Sequence, residues 1–279
     1  MSEALVSLLT ALGDDELILG HRHSEWTGFA PHIEEDVAFS SIAQDEIGHA
    51  AALYSLLASR SGGDADGLAL GRHVSEYRNA MLCERPNRDW AYTLARHWVY
   101  DTADAIRLEA LSETADEDLR ALVTKMSREE RYHLIHADTW IERIGAGPVE
   151  GRMKLEDGLA EAFEEALGLF EPIEHEEKAV YEGHLPVPSS ELARRFRERA
   201  ANKLDELGVP TEIYSRSDES AEFVASSSGD LIAGVNGGDD ARPERLGGLG
   251  GRAGHHSEEF RDLWDVMTST YRKHPGATW

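Results

Sequence analysis

The sequence predicts an all-α protein: a bundle of four long helices followed by shorter ones. Three observations support this. Apolar residues recur at helical spacing, as in Leu5, Leu9, Leu12 and Leu19. Gly- and Pro-bearing breaks separate segments too long for ordinary strands. No run alternates apolar and polar residues as a half-buried strand does.

The first helix is expected from Glu3 to Trp26, ended by Thr27-Gly28-Phe29-Ala30-Pro31. Pro31 suits the first turn of a second helix, which runs to about Arg60 and stops at Ser61-Gly62-Gly63. A shorter helix is expected over Gly67 to Cys83, ahead of the break at Arg85-Pro86-Asn87. A third long helix spans Asp89 to Glu113. After Thr114-Ala115-Asp116 a fourth runs to about Ile144, closed by Gly145-Ala146-Gly147-Pro148. Shorter helices follow near Arg152–Phe170, Glu174–Gly183 and Ser190–Leu207, and Glu258 to Tyr271 is helical again. Ser215 to His256 is rich in Gly, Ser and Asp without periodicity and reads as a mobile segment. The chain thus divides into a four-helix core over 1–148, additional helices packing on it over 149–214, a flexible insertion over 215–256, and a C-terminal helix and tail over 257–279.

At 279 residues with 41% apolar content, the chain can bury a substantial core. Its 53 acidic residues against 28 basic ones give a net charge of −25. Such a surface repels nucleic acid and anionic lipid, which excludes those partner classes. The acidity fits two sources, a salt-loving organism with an acidic proteome or an acidic cytoplasmic protein. Cys83 is the only cysteine, so no internal disulfide forms, and it is expected as a small buried hydrophobe. Neither a basic-then-apolar leader nor a run of membrane-spanning length occurs, so a cytoplasmic location is expected.

The chemistry lies in two short motifs. The second helix carries Glu46-Ile47-Gly48-His49 and the fourth carries Glu130-Arg131-Tyr132-His133. Residues three apart share a helix face, so each pair can aim a carboxylate and an imidazole at one point. A dimetal bundle needs one further carboxylate from each remaining helix. Glu46 lies 15 residues after Pro31, and reflection through that turn gives Glu16; Glu25 fails the same test. Glu130 reflects through Ala115 and Asp116 to Asp101, with Asp104 one turn along as the rival. The predicted metal set is Glu16, Glu46, His49, Asp101, Glu130 and His133. These acids sit within apolar stripes such as Phe39, Ile42 and Leu53, where unpaired burial is costly. Iron or manganese suits mixed carboxylate and imidazole donors, and the set implies a ferritin-like bundle. The plainer alternative has these side chains on solvated faces, or neutralised by buried arginines such as Arg107 or Arg131. His21 and His23 read as surface groups, with a supporting role for the ligands as the alternative. His136 reads as possible support for the ligands, and His255 and His256 as without a role.

Leu12-Gly13-Asp14-Asp15, Ser24-Glu25-Trp26, Ala30-Pro31, Glu84-Arg85-Pro86-Asn87, Glu130-Arg131-Tyr132-His133-Leu134 and Trp140-Ile141-Glu142-Arg143 form a further pattern. With Gly251, His256 and the terminal Pro275-Gly276-Ala277-Thr278-Trp279, it resembles the C subunits of the ring-1,2-phenylacetyl-CoA epoxidases. The resemblance covers nearly the whole chain except the region around Ser215–Gly248. It implies a multicomponent di-iron oxygenase of aerobic phenylacetate breakdown that uses O₂ and a reductase to place an epoxide on the ring of phenylacetyl-CoA. It also implies a hetero-oligomer, in which the working centre belongs to a paralogous A subunit, and the C subunit is its structural partner. This chain departs from that pattern by keeping all six ligands. Three readings follow: an oxygenase subunit with its own dimetal site, a metal-free scaffold of the same complex, or a stand-alone ferritin-like oxidase.

Overall fold

A computed structural model describes residues 2–209, 249–274 and 276–277. Among these the architecture is all-α, without a strand. The long helices are α1 (Glu3–Ser24), α2 (Ile33–Ser61), α5 (Trp90–Leu111) and α6 (Glu117–Gly145). Between them lie the short α3 (Ala65–Leu70) and α4 (Met81–Glu84). After them come α7 (Val149–Ala166), α8 (Glu176–Tyr181), α9 (Ser189–Glu206) and α10 (Glu258–Lys273). No described helix is long and apolar enough to cross a membrane.

Two helical hairpins, α1–α2 and α5–α6, face each other to make the ferritin-like core. Their inward stripes include Leu9, Ile18, Leu53, Trp98, Val123 and Ile141, all buried. Asp89 starts α5 by accepting from the amide of Tyr92, and Asp116 starts α6 by accepting from the amide of Leu119, each at 3.0 Å. α7 packs on the outer face of α5. Gly158 allows this, since a Cβ there would lie 3.1 Å from the Cα of Tyr92. Phe163 of α7 stacks on Phe196 of α9 at 5.1 Å, so the additional helices extend the same core.

The expected helix over 67–83 is instead α3, a 3₁₀ turn at Val74–Glu76 and α4. The cause is competition for backbone donors. The amide of Arg78 donates to Asp14 at 2.6 Å and that of Ala80 to Asp15 at 2.8 Å. Both carboxylates are buried on α1, and they draw off the N–H groups that a continuous helix would bond internally.

Of the segment read as a mobile insertion, 215–248 lies outside the described residues, whereas 249–256 is packed. Arg252 is buried and donates to both oxygens of Asp15 at 2.9 and 2.7 Å. Arg107 reaches the same carboxylate at 2.5 Å. His256, expected to have no role, lies 2.7 Å from Glu84, which also accepts from the amide of Ser257 at 2.6 Å. These contacts strap the C-terminal part to α1 and α4. Cys83 is buried, as expected.

Replacing Arg252 with Met leaves Asp15 one cation short in the interior. The expected loss is about 3 kcal/mol in urea denaturation, the usual cost of breaking a buried pair. Asp116 carries a pH signature. Its hydrogen bond from Arg60 holds its pKa below the ordinary carboxylate value. The stability it supplies is therefore complete above the unfolded value of about 3.9 and is lost as pH falls through the lowered folded one. Asp116→Ala is expected to cost about 1–2 kcal/mol at neutral pH, with the gap to wild type closing in strong acid.

Candidate metal centre

All six predicted ligands lie inside the bundle, none more than 4% exposed: Glu16 on α1, Glu46 and His49 on α2, Asp101 on α5, Glu130 and His133 on α6. Helical spacing does this work. Glu46 and His49 share the inner face of α2 with Phe39, Ile42 and Leu53, all buried. Glu130 and His133 share the inner face of α6 with Val123, Met126 and Ala137.

The six divide unevenly. Glu16, His49 and Glu130 each bring a donor atom within 4.8 Å of the others. His49 Nδ1 lies 3.1 Å from Glu16 and 3.3 Å from Glu130. His133 Nδ1 joins them through Glu130 at 3.1 Å. Tyr100 donates its hydroxyl to Glu16 at 2.9 Å. Glu46 and Asp101 lie against other imidazoles, Glu46 in hydrogen-bond contact and Asp101 at ion-pair distance only. His23 Nδ1 lies 2.9 and 3.0 Å from the two oxygens of Glu46, and His97 Nδ1 lies 3.2 Å from Asp101.

The register of the α1–α2 hairpin separates Glu46 from Glu16. Glu46 backs onto Gly20, not Glu16: a Cβ at Gly20 would meet Ile47 Cγ1 at 2.8 Å and Glu46 Cβ at 3.1 Å. Glu16 meets His49 instead. Reflection through Pro31 assumed a symmetric turn. The chain instead leaves α1 at Ser24 and enters α2 at Ile33, and exposed Ile33 and Val37 show the first turns of α2 lying beyond the packed face. Of the rivals, Glu25 pairs with Arg22 at 2.8 Å, and Asp104 is buried against Arg107 at 2.7 Å.

Besides Tyr100, sequence reasoning missed four supporting residues, His23, His97, Asp45 and Glu129. His23, read as a surface group, is fully buried. His97 is also fully buried, and its ring meets His136, whose other nitrogen lies 2.8 Å from Glu35. The outer nitrogens of the two motif histidines cross the α2–α6 seam. His49 Nε2 lies 2.8 Å from Glu129, and His133 Nε2 lies 3.3 Å from Asp45. Asp45 and Glu129 each precede a motif glutamate. An acid one position before the Glu of a Glu-x-x-His pair was the available signal, although adjacent residues do not share a helix face. Such contacts orient an imidazole and raise its basicity.

Burial pushes Glu46 and Asp101 well above the carboxylate range, and neighbouring acids including Glu130 reinforce the shift. Glu130 is also buried, yet His133 and His49 outweigh that and hold it at about 2. Burial likewise opposes charge on the two imidazoles, but Glu130 and Glu16 raise His49 to about 12, and Glu130 and Glu46 raise His133 to about 9. His23 and His97 go the other way, driven well below the ordinary value by burial.

Both oxygens of Asp101, both of Glu130, Nδ1 of His133 and Nε2 of His23 are buried with no hydrogen-bond partner. The imidazoles near Glu130 stand at ion-pair distance without hydrogen-bond alignment. A buried polar atom left this way costs about 1–3 kcal/mol, and a cation satisfies it. The donors are carboxylate and imidazole without thiolate, which suits iron or manganese. Arg107 and Arg131 do not neutralise these acids: the former serves Asp15 and Asp104, and the latter is exposed.

The sequence profile of the family described as phenylacetic acid catabolic protein matches residues 1–226. Among curated proteins, the C subunit of 1,2-phenylacetyl-CoA epoxidase from Escherichia coli (strain K12) is 34% identical over 168 residues, which covers 60% of this chain and 68% of that protein.

The close approach at Gly20 sets the position of Glu46, so Gly20→Ala must displace Glu46 and Ile47. Overpacking of this kind costs about 1–3 kcal/mol. Urea denaturation at neutral pH is expected to show a loss in that range, and an unchanged midpoint would refute the register described above.

Proposed function

Since the chain belongs to the phenylacetic acid catabolic protein family, we propose that it is a subunit of the oxygenase that epoxidises the aromatic ring of phenylacetyl-CoA. In this reading it pairs with a paralogous catalytic A subunit served by a separate reductase, and it holds a dimetal centre of its own. The observation that carries the second part is the buried set Glu16, Glu46, His49, Asp101, Glu130 and His133, with oxygens of Asp101 and Glu130 left unpartnered. An iron pair bound there would supply O₂ activation. The chain's own residues hold and orient: Glu129 and Asp45 fix the rings of His49 and His133, and Tyr100 fixes Glu16. The apolar lining of Phe39, Leu53 and Met126 excludes water. Exposed Ile33, Val37, Tyr132 and Ile135 on α2 and α6 support a protein partner on that side.

One observation favours the second reading, a metal-free scaffold of the same complex. The imidazoles of His49 and His133 already stand against the acids, His49 Nδ1 at 3.1 Å from Glu16 and 3.3 Å from Glu130 and His133 Nδ1 at 3.1 Å from Glu130, so the chain supplies partners of its own. Metal analysis separates the two. Expressed in iron-supplied medium, the full chain is expected to hold about two irons, and Glu46→Ala or Glu130→Ala is expected to abolish that stoichiometry. A folded chain without metal that still binds the A subunit tightly would leave the scaffold reading alone.

A further inference from the structure

We propose that the centre loads its two cations unequally: the first goes to Glu16, His49 and Glu130, and the second is held back by His23, which clamps Glu46. This rests on the dimetal reading above.

The first half is already assembled. Donors bound to one cation at about 2.0–2.2 Å lie roughly 3–4.5 Å from one another. The donor atoms of Glu16, His49 and Glu130 fall within 4.8 Å. An ion entering among them replaces the contact between His49 Nδ1 and Glu16 at 3.1 Å, and small rotations of the three side chains then close on it.

The second half is not assembled, and the reason is specific. His23 Nδ1 stands nearly equidistant from both oxygens of Glu46, at 2.9 and 3.0 Å. It occupies the mouth of the carboxylate, where a cation gripping both oxygens would sit. The ring cannot easily step aside. It is fully buried and meets Phe39 and His97 edge-on, each at 5.2 Å between centroids. His97 approaches Asp101 through one oxygen only, at 3.2 Å, which is a looser hold. The first cation displaces a contact between two of its own ligands, whereas the second must displace His23, which lies outside the set and contacts both oxygens of Glu46. His23 acts here as a positioning residue, absent from both Glu-x-x-His motifs.

The test is a titration of the metal-free full chain with Co(II), read by visible absorption and by equilibrium dialysis. The first equivalent is expected to bind at least about tenfold more tightly than the second, the scale on which contacts to ligand side chains alter metal affinity. His23→Ala is expected to tighten the second equivalent by about tenfold and leave the first unchanged. His23→Gln, whose amide can still donate to Glu46, is expected to keep the wild-type ratio. The wild-type ratio carries the test if His23→Ala does not fold. Two equivalents of equal affinity would overturn the inequality and leave the dimetal reading standing. A weaker second equivalent in His23→Ala would overturn the clamp. No cobalt bound to the folded wild-type chain would overturn both readings.

Discussion

The interior of the described bundle holds eight carboxyl groups: Asp14, Asp15, Glu16, Glu46, Glu84, Asp101, Asp104 and Glu130. Removing so many acids from water is the constraint that the rest of the structure answers, because each must be neutralised where it lies. Two chemistries do this, in two layers. Asp14, Asp15 and Asp104 are met by guanidinium groups from Arg72, Arg107 and Arg252. Glu16, Glu46, Asp101 and Glu130 are met by imidazoles from His49, His23, His97 and His133; Glu84 stands apart from both layers, held by His256 and the amide of Ser257.

The difference between the layers has consequences. An arginine remains charged at any working pH and is a fixed countercharge, so its layer is structural. That layer ties α1 to the segment before α4 and to the strap at Arg252. An imidazole can lose its proton and turn its nitrogen to a metal, so its layer is exchangeable. The boundary falls between Asp15 and Glu16, neighbours on α1 that face different partners. Tyr100 joins the two layers, donating to Glu16 at 2.9 Å while accepting from Arg107 at 3.1 Å. Rigidity in the first layer is thereby passed to Glu16 in the second.

What the sequence made legible follows from periodicity. Glu46 with His49, and Glu130 with His133, could be placed on inner faces because a three-residue step and flanking apolar stripes suffice for that. The bundle and its long helices were legible for the same reason. The rest depends on contacts with no local signature. Whether Glu46 meets Glu16 or Gly20 depends on how the turn from Ser24 to Ile33 folds, and a shift of one helical turn leaves the periodicity unchanged. The breakdown of the helix over 67–83 depends on Asp14 and Asp15, more than 60 residues away. His23 looks like a surface histidine beside Arg22 until its helix face is known.

The same division into layers bears on how the family resemblance is read. Asp14-Asp15 belongs to the arginine layer. Glu84 is bound by His256 and the amide of Ser257, and the carbonyl of Glu84 accepts from Arg22 at 2.9 Å. Asn87 donates to the carbonyl of Arg22 at 2.6 Å. Gly251 passes close against Asn79 and Ala80, where a side chain would collide. The residues that carry the resemblance therefore mostly build the joint between α1, the α4 region and the C-terminal strap. Of the motifs that carry the resemblance, Glu130-Arg131-Tyr132-His133-Leu134 reaches the imidazole layer. A shared joint requires a shared frame, but it places no demand on what the imidazole layer holds. The ligand set must be judged on its own chemistry. There the oxygens of Asp101 and Glu130 that accept no hydrogen bond argue for cations, whereas the approach of His49 and His133 to Glu130, at 3.3 and 3.1 Å, argues that imidazoles can stand in for them.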